Sequence, residues 1–259
     1  MDFIKVTVDD HVAHLVLDRG KSNAINQQML DELYQSIVEV QNNPTVEGMI
    51  LHGKPGFFSA GLDLIALYEY NEEEVQHFWY AFMALIRMFT AFEKPAVAAI
   101  NGHSPAGGCV LALCCDYRVM AGGEYIIGLN EVPVGIVVPD SIFQLYSFWL
   151  GQATAYRYLL EGKLLKPTDA YQCGLVDEVV DEKSIRTAAE RQLKKYMQYE
   201  RHTWRQSKIN MRKALIGHLD ASQEQSIAAV LKQWWSPATR AILKTIIDNL
   251  KNNGPSATK

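Results

Sequence analysis

Apolar residues fall along this chain in short runs and in helical spacing, and the switches between them mark the elements. Residues 3–8 and 11–17 are short segments rich in apolar and β-branched residues and read as two short strands. An Asp-Asp turn at Asp9 and Asp10 joins them. Residues 26–41 change to helical spacing, with apolar positions at Met29, Leu30, Leu33, Ile37, Val38 and Val40 and Asn26 placed to cap the first turn. The runs 48–52 and 95–101 are short and apolar, which predicts buried strands. Residues 72–92 form a long amphipathic helical pattern, and 109–115 a short apolar one. Turn-rich loops lie at 53–61 and at Ala106-Gly-Gly108.

Beyond about Asp181 the pattern is mainly helical, over 184–199, 204–216, 222–233 and 237–250, with Gly217 and Pro237 as punctuation. Strands and helices alternating before a helical end predict an α/β fold. The division expected is a core over 1–200 and a helical segment over 201–259, with a polar tail at 252–259 that frays.

Composition narrows the class. The 259 residues are 48% hydrophobic and 21% charged, enough for one large core. Twenty-five basic and 29 acidic residues give a net charge of −4, which argues against a general nucleic-acid binder. Cys109, Cys114, Cys115 and Cys173 form no CxxC pair and no metal-like cluster with histidine, so reduced core thiols are expected and no metal. No leader, peroxisomal tripeptide or apolar run of membrane-spanning length is visible, which predicts a cytoplasmic protein with no membrane partner.

Two loops and one glutamate carry candidate chemistry. The first loop is Phe58-Ser-Ala-Gly-Leu-Asp-Leu64, where Gly61 permits an unusual turn and Asp63 is placed to cap the next helix. The second is Asn101-Gly-His-Ser-Pro-Ala-Gly-Gly108, leading into an apolar helix whose first N–H groups have no intrahelical partner. Two such N–H groups aimed at one oxygen form an oxyanion hole. Taken singly, a glycine turn before a helix is structural. Glu131 stands among apolar neighbours in Gly128-Leu-Asn-Glu-Val-Pro-Val-Gly-Ile136. A solvated loop carboxylate is the ordinary reading, and a general base of raised pKa is the functional one.

In combination these runs, with Cys115-Asp-Tyr-Arg118 and Gly162 followed by Ala170-Tyr-Gln-Cys-Gly-Leu-Val-Asp177, closely resemble the crotonase (enoyl-CoA hydratase/isomerase) superfamily. Gly128-Leu-Asn-Glu131, Ser104-Pro-Ala-Gly-Gly108, Asp116-Tyr-Arg-Val119 and Ser207-Lys-Ile-Asn-Met-Arg-Lys-Ala214 are similar to its mitochondrial-type Δ3,Δ2-enoyl-CoA isomerases. The resemblance implies a right-handed spiral of ββα turns with C-terminal helices that assemble a homotrimer or a dimer of trimers. It implies an acyl-CoA thioester substrate, with coenzyme A as part of the substrate and no further cofactor. The Leu62 and Gly107 N–H groups would hold the thioester oxygen. Ala60, Gly61, Leu62, Asp63 and Leu64 would border the CoA adenine, and Glu131 would be the base. Hydratases of the family carry a second glutamate at the position matched here by Val110. One base suffices to move a double bond, whereas adding water draws on two carboxylates, so isomerisation is expected.

Other residues have bland and functional readings. Asp116 reads as a structural polar residue and His103 as a loop histidine bonded to backbone, with substrate contact the alternative. Phe78, Phe82 and Leu85 share a helix face, for core packing or for an acyl pocket. Lys208 and Arg212 read as a solvated basic face or as a contact for a CoA phosphate. Two further functions stand as alternatives. One is another crotonase reaction, hydration or thioester hydrolysis. The other is RNA binding, which residues 184–199 disfavour because Glu190 interrupts the basic positions Arg186, Arg191, Lys194 and Lys195.

Overall fold

The computed structural model describes residues 1–220 and 223–252. The expected fraying tail, apart from its first residue, and the start of the expected helix at 222 lie outside them. The chain opens with an antiparallel hairpin of β1 (Ile4–Asp9) and β2 (Val12–Leu17), with Ile4 opposite Leu17 and Asp9 opposite Val12. Its turn residues are Asp10 and His11, with φ of +46° and +63°. That is one residue later than the Asp-Asp turn expected, because a two-residue turn matching strand twist puts both central residues at positive φ. Helix α1 (Gln27–Asn42) follows, and the Asn26 side chain accepts the Met29 N–H at 3.0 Å as its cap.

Three similar turns come next. In the first, β3 (Gly48–His52) and β4 (Gly56–Phe57) lead to α2 (Leu64–Glu69) and α3 (Glu72–Thr90). In the second, β5 (Ala96–Ile100) and β6 (Gly102–Pro105) lead to α4 (Gly107–Cys114). In the third, β7 (Tyr117–Ala121) and β8 (Ile127–Gly128) lead to α5 (Asp140–Leu150). Then come α6 (Gln152–Glu161), β9 (Leu164–Leu165), α7 (Pro167–Gln172) and β10 (Glu178–Val180).

Each turn adds its first strand to one sheet and its second to another. The large sheet has the order β1-β2-β3-β5-β7-β10, parallel from β2 onward, and the small one β4-β6-β8-β9. This is the spiral of ββα turns, with the right hand that parallel crossovers take. Every residue of β3 and β5 is buried, so both strands read as apolar runs without alternation. Between 140 and 172 the chain is also helical, earlier than the sequence pattern suggested, because α5 to α7 are short and α5 carries apolar residues on most of its positions.

Helix α8 (Ile185–Met197) covers the outer face of the large sheet through Ile185, Ala188, Ala189 and Leu193. Helices α9 (Arg201–Asp220), α10 (Glu224–Trp234) and α11 (Pro237–Asn252) complete the chain. Gly217 does not end α9, contrary to expectation. Leu215 and Leu219 are buried on either side of it, and Asp220 pairs with Arg87 of α3, so packing carries the helix through.

Lys208 and Arg212 are not a solvated face, and neither lines the cavity described below. Both are 4% exposed. Lys208 Nζ donates to Asp116 Oδ2 at 2.7 Å and to the Lys94 carbonyl at 2.9 Å. Arg212 donates to the carbonyls of Thr90, Cys114 and Cys115 and pairs with Asp116 at 3.1 Å. Asp116 also accepts the Ala96 N–H at 2.8 Å. The structural reading of Asp116 holds: it ties α9 to the ends of β5 and α4. Burial of this kind is invisible in the sequence, since the partner lies 92 residues from Lys208.

Candidate active site

The loop between β4 and α2 leaves one backbone donor over. Phe58 and Ser59 N–H groups donate to the His103 carbonyl, Ala60 to Ser22, and Asp63 to Ile25. The Gly61 N–H reaches Ser59 Oγ at 3.1 Å, and that hydroxyl donates to the Asn23 carbonyl at 2.8 Å. Only Leu62 in this stretch has no acceptor among the described residues. A backbone N–H left out of such a tight set of bonds is available to a ligand.

A second free donor stands beside it. Ala106 N–H donates to the Gly128 carbonyl, and Ala106 accepts from Val110 at 3.0 Å to open α4. The Gly107 N–H, first in the helix, therefore has no intrahelical partner. Helix α4 starts at Gly107 rather than at Cys109 as expected, and this places that donor at the loop. Ala106 enters it with φ +48° and ψ −123°. The region is costly for a side chain, by about 1–3 kcal/mol, and such strain gathers at functional sites.

Glu131 follows β8 at the start of a 3-10 turn, Val132–Val134. Its carbonyl accepts the Val134 and Ile136 N–H groups at 3.1 and 3.0 Å. The residue is half-buried, but Oε2 is sealed from solvent and meets no hydrogen-bond donor among the described residues. Burial pushes the carboxyl up to about 7, against a smaller opposing pull from its own backbone N–H.

These groups meet around one cavity of about 460 Å³. Ala60, Leu62, Asp63, Leu64, Gly107 and Glu131 line it, whereas Gly61 stands behind the wall. Val110 and Phe82 contribute apolar surface, while Phe78 and Leu85 pack in the core. His103 is absent from the lining. It lies on β6 with its ring against Phe57 and Tyr125, and Nδ1 has no partner among the described residues, so the backbone bond expected for it is not seen there. Asp63 is already engaged, accepting the Ala66 N–H at 3.1 Å and pairing with Arg19 at 2.7 Å.

Sequence reasoning missed Trp79 and the far wall. Ile246 and Leu250 of α11 close the cavity over α2, where Arg240 stacks on Tyr68 at 3.4 Å. Nothing local in α11 announces its contact with α2, where Arg240 meets Tyr68 from 172 residues away. Among the described residues no group of three or more His, Cys, Asp or Glu is arranged for a metal ion, and no helix is long and apolar enough to cross a membrane.

The family model for enoyl-CoA hydratase/isomerase matches residues 7–238. The chain belongs to the enoyl-CoA hydratase/isomerase family. It is 39% identical over 219 residues to mouse "Enoyl-CoA delta isomerase 1, mitochondrial", covering 83% of this chain and 75% of that protein. It is 31% identical over 179 residues to the "Crotonyl-CoA hydratase" of Syntrophomonas wolfei, covering 68% of each. The crystal structure of human mitochondrial delta3-delta2-enoyl-CoA isomerase superposes with a TM-score of 0.94 at 30% identity, over 97% of this chain and 99% of that one. The crotonase fold and a crotonase-type acyl-CoA reaction follow from this membership.

Proposed function

We propose that this member of the family is a Δ3,Δ2-enoyl-CoA isomerase acting in fatty acid β-oxidation. One observation carries the reading. Among the described residues, Glu131 is the single carboxylate lining the cavity that no cation or backbone donor of another residue engages, and the wall position at Val110 is apolar. One base serves isomerisation. The Glu131 carboxylate takes a proton from C2 of a 3-enoyl-CoA, and the C3–C4 double bond shifts into a dienolate. The Leu62 and Gly107 N–H groups stabilise the dienolate oxygen. Protonated Glu131 returns the proton to C4, which leaves trans-2-enoyl-CoA. The sequence is redox-neutral, returns the base to its starting state and draws on no cofactor beyond the CoA of the substrate. A carboxyl near neutrality suits both halves of the transfer.

The loop from Ala60 to Leu64 is proposed to border the CoA nucleotide. Helices α9 to α11 are proposed as the assembly segment of a homotrimer or dimer of trimers, which sedimentation velocity measures. The four free cysteines favour a reducing compartment, the cytoplasm in the first instance. The relatives named as mitochondrial place theirs elsewhere.

The test is incubation with 3-hexenoyl-CoA and, separately, 2-hexenoyl-CoA, followed by product identification. Conversion of the first to trans-2-hexenoyl-CoA supports the reading. 3-Hydroxyhexanoyl-CoA as the main product from the second replaces it with hydration.

A further inference from the structure

Two histidines meet beneath α8. His14 of β2 and His52 of β3 are 6% and 8% exposed. His14 Nδ1 lies 3.0 Å from His52 Nε2, and the rings stack with centroids 5.2 Å apart. Side chains alternate across a strand, so His14 shares a face with Val12, and His52 shares one with Ile50. Val12 and Ile50 belong to the apolar cluster that packs on α8. The pair therefore lies on the side of the large sheet that α8 covers.

This contact has room for one proton. One ring nitrogen donates its N–H and the other accepts with a bare lone pair. A second proton in the contact sets two N–H groups against each other. A proton on an outer ring nitrogen keeps the contact but leaves a charge in a buried place. Among the described residues, the charged groups that act on the pair are Arg186 and Glu190 of α8 and Asp9 of β1. Arg186 and Glu190 pair with each other at 2.7 Å. On β5 the residue beside His52 is Ala99, which carries no charge. Burial, then the His14 ring and Arg186, pushes His52 down to about 3. Burial and then Arg186 also lower His14, against opposing pulls from Glu190 and Asp9.

The helix above the pair is lightly held. Its apolar contact with the sheet is a cluster separate from the main core. Helix α8 contributes Ile185, Ala188, Ala189 and Leu193 to it, and the two alanines bury little apolar area. Its other ties include the exposed ion pairs Arg191–Glu178 and Lys194–Asp10, which contribute little. An element held in this way opens locally while the rest of the fold stays closed.

We propose that the His14–His52 pair is an acid-sensitive latch, which keeps α8 docked on the large sheet while neutral and releases it on protonation, with the main core still folded. The latch does not depend on the isomerase reading. His52 sits below the ordinary histidine value of 6.5, so the opened state binds more protons than the docked one. Docking is fully favoured above 6.5 and weakens about tenfold per pH unit as the pH falls from there toward 3.

Amide hydrogen exchange of the intact protein, corrected for its intrinsic pH dependence, tests this. Protection of the α8 amides is expected to fall about a hundredfold between pH 7 and pH 4.5, and that of α3 by much less. The double variant His14→Gln/His52→Gln does not titrate at these positions. Its α8 loss is expected to shrink to about fivefold, the share of the exposed ion pairs. Equal losses in wild type and variant, or no selective loss in α8, overturn the latch. Should the double variant not fold, ring nitrogen NMR of the wild type decides. Of the seven histidines, two are expected to stay neutral at pH 5. Together with a selective α8 loss, that result supports the latch, and titration of all seven near the ordinary histidine value overturns it.

Discussion

Gly61 and Gly107 hold two loops together by lacking side chains. A Cβ on Gly61 would stand 3.0 Å from the Gly107 nitrogen, and a Cβ on Gly107 would stand 3.3 Å from the Gly61 Cα. Gly61 also has φ +85°, where a side chain is strained. The free N–H groups of Leu62 and Gly107 lie at this contact, so their separation depends on two absent methyl groups. Gly61→Ala is expected to push the loops apart and to lower kcat by about a hundredfold, the scale of losing one oxyanion donor. The measurement is kcat on 3-hexenoyl-CoA in a variant whose circular dichroism matches wild type. Near-normal turnover removes the donor pair from the mechanism.

Glu131→Gln keeps the shape of the side chain and removes its capacity to take a proton. Activity is expected to fall by about four orders of magnitude, the upper range for a general base. In the wild type, kcat/KM is expected to rise with pH and level off above an apparent pKa of about 7, since the base acts deprotonated. A flat profile from pH 5 to 9 speaks against Glu131.

The same carboxyl makes a stability prediction. Its folded-state pKa of about 7 lies above the ordinary glutamate value of 4.5. Between these values the folded protein binds more protons than the unfolded chain, so this group's contribution to stability falls as pH rises through the window. Glutamine does not titrate. The stability of Glu131→Gln relative to wild type is therefore expected to improve from pH 4.5 to pH 8 by a few kcal/mol. Urea melts at the two pH values measure it, and an unchanged difference shows that the carboxyl is not desolvated.

Among the described residues, Asp116 is the one carboxylate paired with Lys208 and Arg212 in their buried contact. Asp116→Ala leaves two buried cations without it, and Ala96 N–H without its acceptor. The expected loss is about 3–5 kcal/mol, the usual penalty for breaking a buried ion pair from one side. Urea unfolding gives the number. A loss below about 1 kcal/mol, the range of exposed pairs, means that water reaches this site.

How much of this was legible in the sequence differs from element to element. Asn26, the apolar strands β3 and β5, and the long α3 announced themselves because each carries a local signal: a cap, a continuous apolar run, a helical period. The two-residue strands β4, β8 and β9 carry no period at all, and the small sheet that positions both loops was invisible for that reason. Lys208 and Arg212 looked solvated because i,i+4 spacing describes a helix face without saying what it meets. Ile136 was one apolar residue in a loop. Its place in the cavity wall, opposite Ile246 and Leu250, depends on α11, far away in the chain.

Val110→Glu tests the inference from the missing second carboxylate. Val110 lies in the first turn of α4, is 1% exposed, and lines the same cavity as Glu131. A carboxylate there enters a wall that already holds Glu131 at about 7. Two neighbouring carboxyls raise one another's pKa, so one stays protonated near neutral pH while the other is charged. That pair can hold a water between them and pass protons to and from it, as addition to a double bond requires. Measurable formation of 3-hydroxyhexanoyl-CoA from 2-hexenoyl-CoA is expected, with reduced isomerisation of 3-hexenoyl-CoA. The burial cost is about 2–3 kcal/mol where the new carboxyl is imperfectly paired, so the variant is first checked by urea unfolding. A folded variant that isomerises at the wild-type rate and forms no hydroxyacyl product shows that position 110 does not face the reacting carbons. The lone-glutamate basis for choosing isomerisation over hydration then fails, while the loss of activity in Glu131→Gln stands as a separate result.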